Sequence, residues 1–99
     1  MNSREYLFTV LAEEASEVAQ ATSKTIRFGN SSFVPQSRFT TNAEHLVQEI
    51  NEMIAMVELL GEFGYLDITN LNNVRVKEAK KIKVTEYLEL AENMGVVID

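Results

Sequence analysis

Glutamates spaced three residues apart are the side chains in this sequence best suited to chemistry. The stretch Leu7–Ala21 has the helical period, and at about 100° per residue Glu14 lies near the middle of its apolar stripe. Glu17 lies on the same stripe one turn later, and Glu13 lies at its edge. Because desolvating an ionised carboxylate is costly unless a partner or a metal compensates, glutamates on an inward face require an explanation.

A second helical stretch repeats this arrangement about thirty residues later. It has two stripes predicted to face inward, which consist of Leu46, Ile50, Met53, Val57 and Leu60, and of His45, Glu49, Glu52, Met56, Leu59 and Phe63. Two adjacent helices of this kind would bring four carboxylates together in an antiparallel hairpin. The alternative is that the helical phases are wrong by one position and that all four glutamates face solvent.

Four carboxylates at one place favour a hard cation. The sequence has no cysteine and one histidine, so the available ligands are oxygens, and Mg²⁺ is predicted, with Mn²⁺ as the alternative. Such an ion shares its ligation with substrate phosphates and can generate a nucleophilic hydroxide. An iron site of the ferritin type is disfavoured, because it needs Glu-x-x-His pairs and His45 does not complete one.

Capping signals predict the helices that must position these glutamates. Two capping boxes, Asn2 with Glu5 and Thr41 with Glu44, mark the starts of the first two helices, which end near residues 28 and 63, each before a glycine. A third helical region is predicted over about residues 70–94, with a break near Asn73. We therefore predict a single all-α domain over residues 1–99. It is a bundle of three to four helices, with the two long metal-binding helices in an antiparallel hairpin, and self-association completes it.

Four cationic side chains are candidates for binding a substrate's phosphates. Lys77 and Lys80 fall on the apolar stripe of the third helix, where they either extend along a bundle edge or neutralise the acidic cluster and its phosphates. Lys24 and Arg27 lie in the last turns of the first helix, where compensation of the helix dipole is their simplest role.

The connection between the first two helices is long and unusually apolar. It carries Phe33, Val34 and Phe39 within about a dozen residues. These side chains either pack onto the bundle or a neighbouring subunit, or form a lid that stacks on a substrate's base.

Composition excludes several classes of protein. A net charge of −6 argues against a general nucleic-acid-binding protein, which would carry a basic patch. The longest apolar runs are too short to span a membrane, and the N-terminus lacks the pattern of a signal peptide. The sequence therefore predicts a cytoplasmic protein with no membrane partner.

The acidic motifs resemble those of a known enzyme family. Glu13-Glu14-Ala15-Ser16-Glu17 followed by Lys24–Gly29 looks like the first helix of MazG-like, all-α nucleoside triphosphate pyrophosphohydrolases. It is closest to the small single-domain forms of bacteriophages. Residues 42–57 resemble the second metal-binding helix of that family, and residues 80–88 resemble its closing helix.

The resemblance implies Mg²⁺-dependent hydrolysis of a nucleoside triphosphate to a monophosphate and pyrophosphate, as nucleotide-pool housekeeping by a dimer or larger homo-oligomer. A phage-encoded form would act in the host cytoplasm. By position, Glu14, Glu17, Glu49 and Glu52 match the metal ligands. The chain departs from the family pattern at Glu52, where an aspartate is usual.

The resemblance also implies roles for residues beside the ligands. Glu13 matches a further acidic residue that orients water, so Glu13 and Glu14 are the candidate catalytic residues. His45 matches a phosphate-contacting position, beside the cationic candidates Lys24, Arg27, Lys77 and Lys80. The alternative function is that of a non-catalytic helical module that binds a protein partner.

Overall fold

The computed structural model describes residues 1–33 and 40–99, and three α-helices contain most of them. The helices are α1 (Ser3–Phe28), α2 (Asn42–Glu62) and α3 (Val74–Asn93). These ranges contain no β-strand, and their isolated bridge pairs Phe33 with Thr41. The predicted all-α fold class is confirmed.

Each helix begins at a capping residue that the sequence singles out. Asn2 accepts the backbone N–H of Glu5 at 2.8 Å, while the Glu5 carboxylate accepts that of Asn2 at 3.3 Å. Thr41 and Glu44 form the same reciprocal pair at 3.1 and 3.3 Å. Asn73 caps α3 by accepting a backbone N–H of the first turn at 3.1 Å. The predicted break near Asn73 is therefore the start of the helix.

The chain forms two compact units, Met1–Ile68 with α1 and α2, and Thr69–Asp99 with α3. In the first unit α1 and α2 pack against each other as a hairpin. Leu60 is completely buried and Ala21 is 2% exposed. The half-buried residues that were predicted to face inward are Leu7, Val10, Leu11, Val18, Leu46, Ile50, Met53, Met56, Val57 and Leu59.

The end of α2 differs in part from the predicted stripe. Phe63, which was expected on the second inward stripe, is exposed, and its ring stacks on Tyr65 with centroids 5.9 Å apart. Gly61 allows a close approach, because a Cβ atom there would lie 2.5 Å from Cδ1 of Ile68. The segment after α2 therefore folds back against the helix that it leaves.

Hydrogen bonds attach the beginning of the α1–α2 connection to the first turn of α2. The backbone N–H of Asn42 donates to the Ser32 carbonyl at 2.8 Å, and that of Ala43 donates to the Asn30 carbonyl at 3.1 Å. The Asn42 amide, which belongs to a residue only 2% exposed, donates to the Gly29 carbonyl at 3.1 Å. These three bonds hold the end of α1 beside the start of α2.

The rest of the connection is only partly described. Gly29 ends α1 with the expected positive φ, 86°, but its ψ of 159° is extended instead of left-handed helical. Phe33 is exposed. Val34 and Phe39 lie outside the described residues, so the packing and lid interpretations both stay predictions.

The helix α3 buries none of its residues, and Ala91 alone in it is half-buried. Its exposed large apolar side chains are Val74, Val76, Ile82, Val84, Tyr87, Leu88 and Leu90. Among residues 1–33 and 40–99, no helix has both the length and the apolar character that crossing a membrane requires.

Candidate metal centre

The hairpin brings the four predicted glutamates together. Glu14 and Glu17 come from the middle of α1, and Glu49 and Glu52 come from the middle of α2. One carboxylate oxygen of each residue lies within 4.8 Å of the corresponding oxygens of the other three. The four glutamates therefore meet as the deduced helical phases require, although Glu17 and Glu52 remain exposed, as the solvent-facing alternative expects.

The four side chains differ in their access to solvent. Glu49 is 9% exposed and Glu14 is half-buried, whereas Glu17 and Glu52 are exposed. The Oε2 atoms of Glu14 and Glu49 are both buried and have no hydrogen-bond partner. Because an unpartnered polar atom is unfavourable away from water, these two oxygens favour binding either a proton or a cation.

Burial and the crowding of the carboxylates raise the pKa of two of the four, Glu14 and Glu49. Burial raises the pKa of Glu14, and the charges of Glu17, Glu52 and Glu13 raise it further. Burial likewise raises the pKa of Glu49, with Glu17 and Glu52 adding to the effect. Without a cation the folded protein therefore holds protons at these carboxyl groups more strongly than an unfolded chain does. Protons and a metal ion compete for the same oxygens.

The donor set fits a hard divalent cation. Mg²⁺ binds oxygens at about 2.0–2.1 Å, so opposite ligands of one ion lie about 4.2 Å apart. The oxygens of the four glutamates lie within 4.8 Å of one another, which is close to that value. The group contains no sulfur or nitrogen ligand, which matches the chemistry of Mg²⁺ and Mn²⁺. The four glutamates could therefore hold a metal ion.

Two polar side chains of α2 contact the ligand candidates one turn away. The Nε2 atom of His45 lies 3.0 Å from Oε1 of Glu49, and both side chains are largely shielded from solvent. The amide of Gln48 donates to Oε1 of Glu52 at 3.4 Å and is exposed. The sequence predicts a phosphate contact for His45 and no role for Gln48. The i,i+4 spacing is the signal that could have revealed both contacts.

The other candidates of the first unit lie beside the cluster or beyond it. Glu13 is exposed, and its charge acts on the neighbouring Glu14. Lys24 is half-buried two turns after Glu17, about 10 Å along the helix axis. Arg27 is exposed, with its guanidinium 5.1 Å from the centre of the Phe28 ring.

The two lysines predicted to bind phosphates from α3 belong to the second compact unit. Lys77 and Lys80 are both exposed there. Their assignment to substrate phosphates stays a prediction.

Comparison with known proteins adds no assignment. No family model, no curated protein and no solved structure matches this chain. The resemblance to MazG-like enzymes therefore stays a prediction from the sequence motifs.

Proposed function

We propose that this protein is a Mg²⁺-dependent nucleoside triphosphate pyrophosphohydrolase that releases a nucleoside monophosphate and pyrophosphate. The observation that carries the proposal is the meeting of four glutamate oxygens within 4.8 Å on two adjacent helices. The two buried oxygens without partners, on Glu14 and Glu49, support a bound cation over a cluster of solvated acids. The reaction class comes from the sequence resemblance of the acidic motifs.

The chemistry divides between the ion and the side chains around it. Glu14, Glu17, Glu49 and Glu52 would hold the cation, which when bound supplies Lewis acidity toward phosphate oxygens. Water adds across the anhydride between the α- and β-phosphates, so that one product takes the hydroxyl oxygen and the bridging oxygen leaves with the other. Glu13 lies next to Glu14 and is exposed, which suits a carboxylate that orients this water and accepts its proton.

We also propose that copies of the chain assemble, since α3 leaves its large apolar side chains exposed. A 20-residue helix without buried residues gains little stability from its own sequence and needs tertiary contacts. The first half of α3 carries five cations and one carboxylate, whereas residues 1–68 carry ten carboxylates and four cations. A second copy therefore offers a surface of complementary charge. Light scattering should report a mass above the 11.2 kDa of one chain, and a species of that mass at micromolar concentration would contradict assembly.

The same exposed face favours one alternative function, a non-catalytic module that binds a different protein through α3. In that case the acidic cluster would be a remnant of the scaffold. Mg²⁺ would then neither raise the melting temperature nor support turnover.

The decisive experiment is an activity assay on metal-stripped protein. Ribo- and deoxyribonucleoside triphosphates are supplied with and without Mg²⁺, and pyrophosphate and orthophosphate are both measured. We expect Mg²⁺-dependent pyrophosphate release in equal amount to the monophosphate, and loss of that release in Glu14→Gln. The control, Glu89→Gln, removes an exposed carboxylate of α3 and should keep full activity. Thermal stabilisation by Mg²⁺ without hydrolysis of any nucleotide would show a metal site but contradict the proposed reaction.

A further inference from the structure

We propose that His45 is a positioning residue of the metal centre, which holds one oxygen of Glu49 so that the other oxygen faces the cation. The inference rests on the proposed metal site. It assigns His45 a role different from the phosphate contact expected from the sequence.

The geometry gives the two oxygens of Glu49 different environments. Nε2 of His45 lies 3.0 Å from Oε1, within hydrogen-bond distance, and the two side chains are 27% and 11% exposed. An imidazole that carries its proton on Nε2 donates to Oε1 whether the ring is neutral or charged. Oε2 of the same carboxylate is buried and has no partner. One oxygen is therefore held by the protein, and the other is left for a ligand.

This division matters because a carboxylate can otherwise rotate and offer either oxygen, or both, to an ion. The bond from His45 removes the freedom of Oε1 and favours ligation of the cation through Oε2 alone. Mg²⁺ demands near-ideal octahedral geometry, so a fixed single oxygen suits it better than a mobile pair. Groups that orient a ligand in this way typically contribute about 10–100-fold to metal affinity.

The structure also indicates that His45 is not itself a ligand. Among residues 1–33 and 40–99, the side chains whose ligand atoms gather within 4.8 Å of one another are the four glutamates, and His45 is not one of them. Its described contact in the site runs through Glu49. A role through another residue is what distinguishes positioning from direct coordination.

Gln48 provides a matched control on the same helix. It stands in the same i,i+4 relation to Glu52 as His45 does to Glu49, but its hydrogen bond is longer, 3.4 Å, and exposed to water. An exposed pair of this kind contributes little to stability. Loss of the Gln48 contact should therefore have little effect on the ion.

The test measures Mn²⁺ affinity from the electron paramagnetic resonance signal of the free ion, using metal-stripped full-length protein. We expect His45→Leu to weaken Mn²⁺ binding about 10–100-fold. His45→Gln keeps an N–H donor at the same spacing and should recover most of that loss. Gln48→Leu should stay within about threefold of the wild type. Helix content from circular dichroism checks that each variant is folded.

The outcomes separate this inference from the proposed function. If the wild-type protein binds no Mn²⁺, the metal site and the role of His45 are both wrong. If the wild type binds and His45→Leu binds equally well, only the role of His45 is wrong. A failure of His45→Gln to recover affinity, or a directly coordinated nitrogen in the pulsed resonance spectrum of the bound ion, would also overturn the positioning role.

Discussion

The α1–α2 hairpin and α3 both carry large apolar side chains, but they bury them to very different extents. In the hairpin, each helix gives the other an apolar face, so that Leu60 is completely buried and even Glu49 is 9% exposed. In α3 no residue is buried. The difference shows that the pattern of apolar residues specifies a face, while burial depends on whether a second element covers that face.

The comparison extends to the carboxylates. Glu86, Glu89 and Glu92 of α3 repeat the Glu-x-x-Glu spacing of the hairpin helices. Among the described residues, however, the hairpin glutamates form the single group that could hold a metal ion. Spacing along one helix therefore does not make a site. A site requires that a second helix bring its own carboxylates against the first and shield part of the group from water.

The largest expected effect is on the free energy of unfolding, and it should appear in the hairpin, which has a buried core, and not in α3, which has none. Leu60→Ala should lower the free energy of unfolding by about 2–5 kcal/mol, because it leaves a cavity in the hairpin core. Leu90→Ala in α3, at a concentration where the chain is monomeric, should change it by at most about 0.5 kcal/mol. Denaturant unfolding of both variants measures the difference. An equal loss of unfolding free energy in the two variants, measured on the monomer, would contradict the contrast between the hairpin and α3.

The second prediction compares Mg²⁺ affinity after loss of a carboxylate in the hairpin and after loss of one in α3. Glu49→Gln should abolish detectable Mg²⁺ binding, a loss greater than the about 10–100-fold that removal of an outer partner produces. Without metal, the variant should be as stable as the wild type or more stable, because the substitution relieves the repulsion from Glu17 and Glu52. Glu89→Gln should leave Mg²⁺ affinity unchanged. Titration calorimetry checks both, and unchanged affinity in Glu49→Gln would refute the site.

The third prediction concerns pH. The pKa values of Glu14 and Glu49 are raised above the usual 4.5, so between 4.5 and the raised values the folded protein binds more protons than the unfolded chain. The stability of the metal-free protein should therefore fall as the pH rises through that window, and it should be greatest at the acid end.

Thermal melts in a chelator, from about pH 5 to about pH 7, measure this dependence. The double variant Glu14→Gln/Glu49→Gln is the control. Its stability should depend less on pH, because it lacks the two carboxyl groups whose pKa values are raised. Saturating Mg²⁺ should offset the destabilisation, because it favours the ionised carboxylates. If the stability of the metal-free wild type depended on pH as weakly as that of the double variant, the raised pKa values of Glu14 and Glu49 would be contradicted.

The smallest expected effect tests whether α3 is a separate unit. Asn73→Ala removes the cap of α3 and should cost that helix about 1 kcal/mol. Hydrogen exchange should then show faster exchange for the amides of Val74–Asn93 and unchanged exchange for those of α1 and α2. Equal acceleration in all three helices would show that the chain unfolds as a single cooperative unit.

Much of the hairpin could be predicted from the sequence because its signals are local. The capping boxes at Asn2 and Thr41 form as expected, and the helical period alone places Glu14 and Glu49 on facing sides. These features depend on residues three or four positions apart, where the geometry of a helix is fixed.

Features outside the helices depend on how the connecting segments run, and the helical periodicity of the sequence carries no information about that. Gly29 adopts an extended ψ, and the carbonyls of Gly29 and Ser32 bond to Asn42, an arrangement that no single-helix signal encodes. Phe63 was assigned to an inward stripe, but it lies beyond the last residue of α2 and stacks on Tyr65. The i,i+4 spacing is compatible with the contact of His45 with Glu49, whereas the family resemblance predicts a phosphate contact for His45.

The buried amide of Asn42 has a consequence for the alignment of the two helices. Together with the two backbone bonds beside it, it fixes how far α2 can slide along α1. A slip of one turn, about 5.4 Å, would put Met53 or His45 at the level that Glu49 now occupies and would separate the carboxylates. The hydrophobic stripes alone would tolerate such a slip, since their side chains repeat at nearly every turn. Asn42 thus sets the register that the metal centre depends on, although it lies about 10 Å from Glu49 along the helix.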